Sequence, residues 1–399
     1  MQKNEYYAIL IRVKKEAIEM KAVKAIINAK IVFPNKIKEG CLVFNDKIIG
    51  AYDFLPQGFE GEVIDADGGY LCPGLIDVHT HGYMGIEYTD ADMEKNLKIL
   101  RSLPQHGVTG LLPTVMTVKK ELMESSFAAL EPLIKKEGTG AVVLGINSEG
   151  PFINPEKKGA QDENGIQSFD ADWILSHKNS IRIITVAPEM PGFEAFAERI
   201  CQNSSIILSA GHTNATAEDI IRSADLGLKN VTHLFNAMSP LGHRAPGTAG
   251  AALTDSRLYC ELICDGFHVN SLLFDTVRRL KGDKLCLITD SVRPAGLPDG
   301  RYDNGFSYIT KTGIQCLLPN GTIAGSVLTM NLAVKNFYES TGCPLWEAVN
   351  AASLNPARLL GEDGSIGSIE AGKDSDLVIF DKDFNTVKTF IKGDTVYEH

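Results

Sequence analysis

Eight short apolar runs rich in β-branched residues alternate with amphipathic stretches between residues 71 and 290, and nothing in this chain restricts its fold more tightly. They fall at 71–78, 107–115, 141–149, 181–189, 205–212, 230–235, 258–268 and 284–290. A strand that is apolar on both faces has to be covered on both faces, and a helix after it returns the chain so that the next strand runs parallel. Eight such units predict an α/β chain closed into a (β/α)8 TIM barrel, because an open sheet would need edge strands and a point where strand order reverses.

The flanks read differently. Segments such as AVKAIINAKIVF and CLVFNDKIIGAYD near the start, and AGKDSDLVIFD and TVKTFIKGDTVYEH near the end, are short and β-rich, broken by polar turns. They predict a small β-sandwich domain formed from both chain ends, residues 20–71 and 347–399, around a catalytic barrel at 72–346. Residues 1–19 carry mixed charge and no motif and are read as an extension without an assigned role. A formal charge of -11 argues against broad contact with nucleic acid, which requires a basic surface. No run approaches the ~18 apolar residues of a membrane helix, and the N-terminus lacks the apolar core of a signal peptide, so no membrane partner and a cytoplasmic location are expected. The eight cysteines include no paired CxxC motifs and predict reduced thiols; Cys260 and Cys264, four apart in an apolar run, read as packing residues.

The histidines are placed with more purpose. His79 and His81 form a His-x-His pair after the first run, while His212, His233 and His268 close the fifth, sixth and seventh; Glu149 closes the third and Asp290 the eighth. In a barrel, strand C-termini converge on one mouth, so these seven side chains are predicted to face one cavity. Alternate residues of an extended segment point the same way, which lets His79 and His81 grip one ion together. Imidazole and carboxylate in combination suit zinc, iron or a related divalent ion. His106, His177 and His399 fall in no motif and are read as solvated or structural. Asp77 is read either as support for a ligand histidine or as a structural residue.

PGLIDVHTHG at 73–82 resembles the opening motif of the amidohydrolase superfamily. EGPFINPEKKGA at 149–160, AGHTNA at 210–215, THLFNAM at 232–238, DGFHVN at 265–270, ITDSVRPAG at 288–296, GTIAGSVLTM at 321–330 and NPARLLG at 355–361 narrow the resemblance to the N-acetylglucosamine-6-phosphate deacetylases. It implies hydrolysis of the N-acetyl amide of N-acetyl-D-glucosamine 6-phosphate to D-glucosamine 6-phosphate and acetate, in amino-sugar catabolism and recycling. One or two divalent metals per subunit, zinc or ferrous iron, are implied as cofactors. Carried across by motif, Glu149, His212 and His233 hold the principal metal, and His79 and His81 stand where some relatives hold a second. Asp290 acts as general base then acid, and His268 holds the sugar or the amide oxygen. Asn236, Ala237 and Arg244 match positions that hold the phosphate. In relatives that arginine can reach in from a neighbouring subunit, which implies a homodimer.

The chemistry accounts for these residue types. An amide is stabilised by resonance and leaves a poor amine, so its hydrolysis calls for an activated water, a proton carrier and charge stabilisation on oxygen. Two positions depart from the pattern: Asn147 stands where several relatives carry histidine, and Gln161 where some place a substrate-binding histidine, although its amide can still donate a hydrogen bond to substrate. Three rivals follow. One is the same reaction on N-acetylgalactosamine 6-phosphate, which differs in one hydroxyl orientation. Another is a cyclic-amide hydrolase, although those usually bridge two metals with a carbamylated lysine where Glu149 stands here. The third, a catalytically inactive scaffold, is opposed by the retention of every ligand and of Asp290.

Overall fold

The computed structural model describes residues 22–305 and 307–399, and the extension at 1–19 lies outside them. Each apolar run overlaps a strand, the sixth by only two residues: β1 (Leu75–Thr80), β2 (Val108–Val115), β3 (Ile146–Phe152), β4 (Ile181–Val186), β5 (Ile207–Ala210), β6 (Leu228–Val231), β7 (Tyr259–Ile263) and β8 (Leu285–Ile288). They pair in sequence order and in parallel. Every residue of β1, β2, β3, β7 and β8 is buried, as a layer covered on both faces requires. The intervening helices supply that cover. Helix Phe193–Asn203 buries Phe193, Phe196, Ala197 and Ile200, a single stripe at helical spacing. Helix Ala217–Asp225 starts from a capping box in which Thr216 and Asp219 satisfy each other's backbone N–H.

Among the described residues β8 and β1 share no ladder. They meet at the mouth instead, where Asp290 N–H donates to the His79 carbonyl (2.9 Å) and the Thr289 hydroxyl donates to the Asp77 carboxylate (2.6 Å). Asp77 also accepts from the backbone N–H of His79 (3.2 Å), so it braces β1 against β8, and among the described residues it makes no hydrogen bond to a histidine ring. Burial pushes its carboxyl up to about 6, with the Thr289 and His79 hydrogen bonds offsetting part of the effect. The first run, expected as one strand, is two. Tyr70–Pro73 belongs to another sheet and β1 begins at Leu75. A Cβ on the intervening Gly74 would lie 2.1 Å from Thr109 Oγ1, so only glycine lets the chain pass there.

Both chain ends do share a sheet. Lys24–Phe33, Lys36–Phe44, Ile48–Tyr52, Glu62–Asp65 and Tyr70–Pro73 join Leu377–Phe380, Thr386–Ile391 and Asp394–Glu398 in eight strands. The junction is antiparallel, running from Leu377 opposite Pro73 to Phe380 opposite Tyr70. Phe44 and Phe390 lie four ladder steps apart, roughly 19 Å in a flat sheet, yet their rings meet edge to face at 5.4 Å. The sheet therefore curls over its own apolar interior, which includes Ile26, Leu42, Leu71 and Leu377.

A feature the sequence did not announce follows β8. Gly300–Asp303, Tyr308–Thr312 and Gln315–Leu317 form a three-stranded antiparallel unit. Its Ile309 and Cys316 pack on Val292 and Ala324 beside the mouth. Cys260 and Cys264 are fully buried, and burial pushes both thiols up, as packing residues require. No described helix is long and apolar enough to cross a membrane.

Candidate active site

His79 and Glu149 lie inside β1 and β3, whereas His212, His233 and Asp290 each stand two residues past the end of β5, β6 and β8. These last three have φ of 49°, 31° and 49°, a left-handed conformation that costs a residue bearing a Cβ about 1–3 kcal/mol and persists only where surrounding contacts hold it. Those contacts are present. Asn154 N–H donates to the His212 carbonyl (2.9 Å), and Ser326 N–H donates to the Asp290 carbonyl (2.7 Å). The second bond explains why GTIAGSVLTM accompanies the Asp290 motif.

The side chains converge. Glu149 Oε1 is 3.1 Å from His212 Nε2 and 3.0 Å from His233 Nε2, and those nitrogens are 3.1 Å apart. On the other side His81 Nε2 lies 3.2 Å from Glu149 Oε2, 3.3 Å from Asp290 Oδ1 and 3.2 Å from His79 Nε2. Ligand atoms bonded at 2.0–2.1 Å to a tetrahedral ion stand roughly 3.3 Å apart, so both groups have the spacing of a coordination shell. Two ligand sets thus stand side by side, Glu149, His212 and His233 in one and His79, His81 and Asp290 in the other, with the Glu149 carboxylate 3.2 Å from His81 Nε2 where they meet.

The field in the cluster favours cations. Burial alone would discharge His79 and His81, yet Glu149, with Glu261 beside His79 and Asp290 beside His81, outweighs it; His79 is held well up and His81 rises to about 9. For the carboxylates burial works the other way and is again outweighed: His212, His79 and His81 hold Glu149 well down, and His81 and His79 hold Asp290 down.

Three rings are oriented through their far nitrogens. His212 Nδ1 meets the Lys157 carbonyl at 2.8 Å, His79 Nδ1 meets Glu261 Oε2 at 2.9 Å, and His268 Nδ1 meets Asp265 Oδ2 at 2.6 Å. Oxygens that accept there leave each Nε2 directed away from them, as metal-binding or substrate-holding imidazoles require. His81 Nδ1 and His233 Nδ1 are buried with no partner among the described residues.

Above the cluster lies a cavity of about 520 Å³, bordered by His81, Glu149, His212, His233, His268 and Asp290, and also by Gln161, Asn236 and Ala237. His79 is fully buried beneath it. Arg244 stands on an exposed loop and is not part of the wall. Gln161 is committed at both ends of its amide, accepting from Thr117 N–H (2.7 Å) and donating to Glu149 Oε2. It steadies the Glu149 carboxylate, where the sequence suggested only a hydrogen bond to substrate.

Residues 70–396 match the amidohydrolase family. The chain belongs to the amidohydrolase family. It is similar to the N-acetylglucosamine-6-phosphate deacetylase of Bacillus subtilis, at 37% identity over 90% of this chain and 93% of that protein. It is also similar to the N-acetylgalactosamine-6-phosphate deacetylase of Escherichia coli O157:H7, at 33% identity over 87% and 92%. The crystal structure of N-acetylglucosamine-6-phosphate deacetylase from Pasteurella multocida superposes with a TM-score of 0.88 and 31% identity, covering 94% of this chain and 99% of that one. This amidohydrolase is therefore a metal-dependent hydrolase acting on an amide, and the histidine and carboxylate donors at the C-terminal ends of its parallel strands fit a divalent ion.

Several parts of the mouth escaped the sequence reading. Glu261 and Asp265 hold His79 and His268 but sit in an apolar run and a turn with no ligand signature. Asn304, Ile309, Asn320 and Thr322 reach the cavity from the three-stranded unit and its following loop. The only signal for Glu261 was its charge: a carboxylate inside an otherwise apolar strand calls for a buried partner.

Proposed function

We propose that this amidohydrolase removes the acetyl group of N-acetyl-D-glucosamine 6-phosphate, releasing acetate and D-glucosamine 6-phosphate. The observation that carries the reading is the pair of ligand sets meeting at Glu149 directly beneath a cavity that Asp290 and His268 also border. Glu149, His212 and His233 would hold a divalent ion, which when bound would lower the pKa of water toward about 7 and polarise the amide carbonyl. His79 and His81 fit a second ion, and zinc and ferrous iron both suit the donor set. Asp290 accepts the proton of the attacking water at its carboxylate and returns it to the departing nitrogen. His268, anchored through Nδ1 to Asp265, offers Nε2 to the sugar or to the amide oxygen as charge develops there.

Asn236 and Ala237 border the cavity where the 6-phosphate is bound, and Arg244 supplies the paired donors that a phosphate favours. Its position off the cavity wall fits delivery into the neighbouring subunit of a homodimer. The scaffold that suits this chemistry is a closed (β/α)8 barrel beside a two-ended β sandwich, a reading supported by the hydrogen bond from Asp290 N–H to the His79 carbonyl. In that division the helices Leu345–Ala351 and Leu354–Leu360 belong with the barrel, since Ile76 N–H donates to the Ala352 carbonyl between them. A phosphorylated sugar cannot cross an apolar bilayer unaided, and the cytoplasm is the compartment we assign.

The second reading is N-acetylgalactosamine 6-phosphate, favoured by the 33% identity to the Escherichia coli enzyme. Measuring kcat/KM on both sugar phosphates decides between them. A higher value for the glucosamine epimer supports the proposal, a higher value for the galactosamine epimer reassigns the substrate, and failure on both refutes it.

A further inference from the structure

We propose that Glu261 is a positioning residue that holds His79 as its Nδ1–H tautomer and so presents the Nε2 lone pair to a second metal ion beside His81 and Asp290. The inference rests on the two-ion reading above.

Glu261 sits on β7 with no solvent exposure. A buried carboxylate is tolerated only when donors surround it, and these donors can be identified. Oε1 accepts from Asn230 Nδ2 (2.7 Å) and Oε2 accepts from the backbone N–H of His233 (3.2 Å). Neither group offers a lone pair, so the carboxylate acts as the acceptor on both oxygens. Its remaining neighbour, His79 Nδ1 at 2.9 Å from Oε2, must then bring the hydrogen.

The amide of Asn230 is itself fixed. Its Nδ2 also reaches Ser209 Oγ (3.0 Å), which meets Thr232 Oγ1 (2.6 Å), and the reversed amide would set an oxygen against the carboxylate. Thr232 Oγ1 in turn meets Thr185 Oγ1 (2.9 Å). A hydrogen-bonded chain therefore crosses the interior from β4 to β7 and ends on the ring of β1. A neutral imidazole with hydrogen on Nδ1 has its lone pair on Nε2, which stands 3.2 Å from His81 Nε2 and 3.6 Å from Asp290 Oδ1. The other tautomer would point an N–H at those donors and repel an ion.

The test uses zinc. Wild-type protein and Glu261→Gln are stripped and titrated with Zn²⁺ against a chromophoric chelator, with zinc per chain measured independently. Glutamine keeps the shape but can donate to Nδ1 and favour the wrong tautomer. The expected result is two zinc ions per wild-type chain, with the variant keeping one tightly and binding the second about 10- to 100-fold more weakly. In the His79→Ala background, Glu261→Gln should weaken zinc binding no further, because the two residues act through one ring. Should the variant fail to fold, ¹⁵N-histidine spectra of zinc-loaded wild-type protein, with His79 assigned through His79→Ala, must show hydrogen on Nδ1 and metal on Nε2. Metal on Nδ1, or equal weakening of both ions in Glu261→Gln, overturns the proposal. Two ions bound with unchanged affinity in the variant overturn the positioning role alone. A wild-type chain saturating at one zinc overturns the two-ion reading and this inference with it.

Discussion

The mouth of the parallel sheet and the two-ended sheet are both assemblies of buried strands, and burial works against the first while it supports the second. At the mouth Glu149, Glu261, His79, His81, His212, His233 and Asp290 are all buried. Desolvation opposes every charge there, and three of these residues sit at positive φ. In the sheet the buried residues are Ile26, Leu42, Phe44, Leu377 and Phe390, each removing hydrocarbon from water at about 25 cal/mol per Å². The contrast teaches where the two properties reside. Reactivity is concentrated in a strained, charge-dense cluster held by ion pairs and by hydrogen bonds with Gln161, Lys157, Asn154 and Ser326, and stability is supplied by apolar layers that take no part in the chemistry.

The sharpest way to break this contrast is to remove the ions. Chelation should abolish deacetylation and added zinc or ferrous iron should restore it, while far-UV circular dichroism stays unchanged. Full turnover in protein shown by metal analysis to be metal-free would refute the reading of the mouth. Next in size is Asp290→Asn, which keeps the side chain's shape but removes its basic carboxylate. Turnover should drop by roughly 10²- to 10⁴-fold, the usual worth of a positioned acid/base, with KM little changed. Near-normal turnover would move the proton-carrying role elsewhere.

The opposite region is probed by Phe390→Ala. Removing a fully buried aromatic that meets Phe44 edge to face should destabilise the protein by about 3–5 kcal/mol in denaturant unfolding. The folded fraction should keep its kcat; a matching loss of activity would show that sheet and mouth are coupled. The smallest effect concerns the rim. Arg244→Ala should lower kcat/KM for the 6-phosphate about ten- to a hundredfold, the loss of a charge-assisted hydrogen bond of about 1.5–3 kcal/mol, and leave the unphosphorylated sugar almost unaffected. Equal losses on both substrates would assign Arg244 to folding or assembly. Activity recovered on mixing Arg244→Ala with Asp290→Asn subunits would place the arginine in the partner's site, and no recovery in confirmed mixed dimers would place it in its own.

Much of the scaffold was legible because strand and helix are written locally. All eight apolar runs overlap strands, since a doubly covered strand has to be apolar throughout. The split at Gly74 was not legible, because the contact that demands glycine comes from Thr109, on a different strand. The three-stranded unit after β8 was missed for a related reason: Tyr308–Thr312 is only partly buried, so it lacks the apolar signal that marked the barrel strands.

By itself the sequence determined which residues meet at the mouth. Strands that run parallel in chain order bring their C-terminal ends to one side, so His79, His81, Glu149, His212, His233 and Asp290 converge whatever the details of packing. What only the tertiary structure decided is how each of them is held. The partner of His79 is Glu261, 182 residues away, and Glu149 is steadied by Gln161 while Asp77 ties β1 to β8. Side-chain hydrogen bonds act over about 3 Å between groups that share no periodicity, so they come into being only when the folded chain sets those strands side by side.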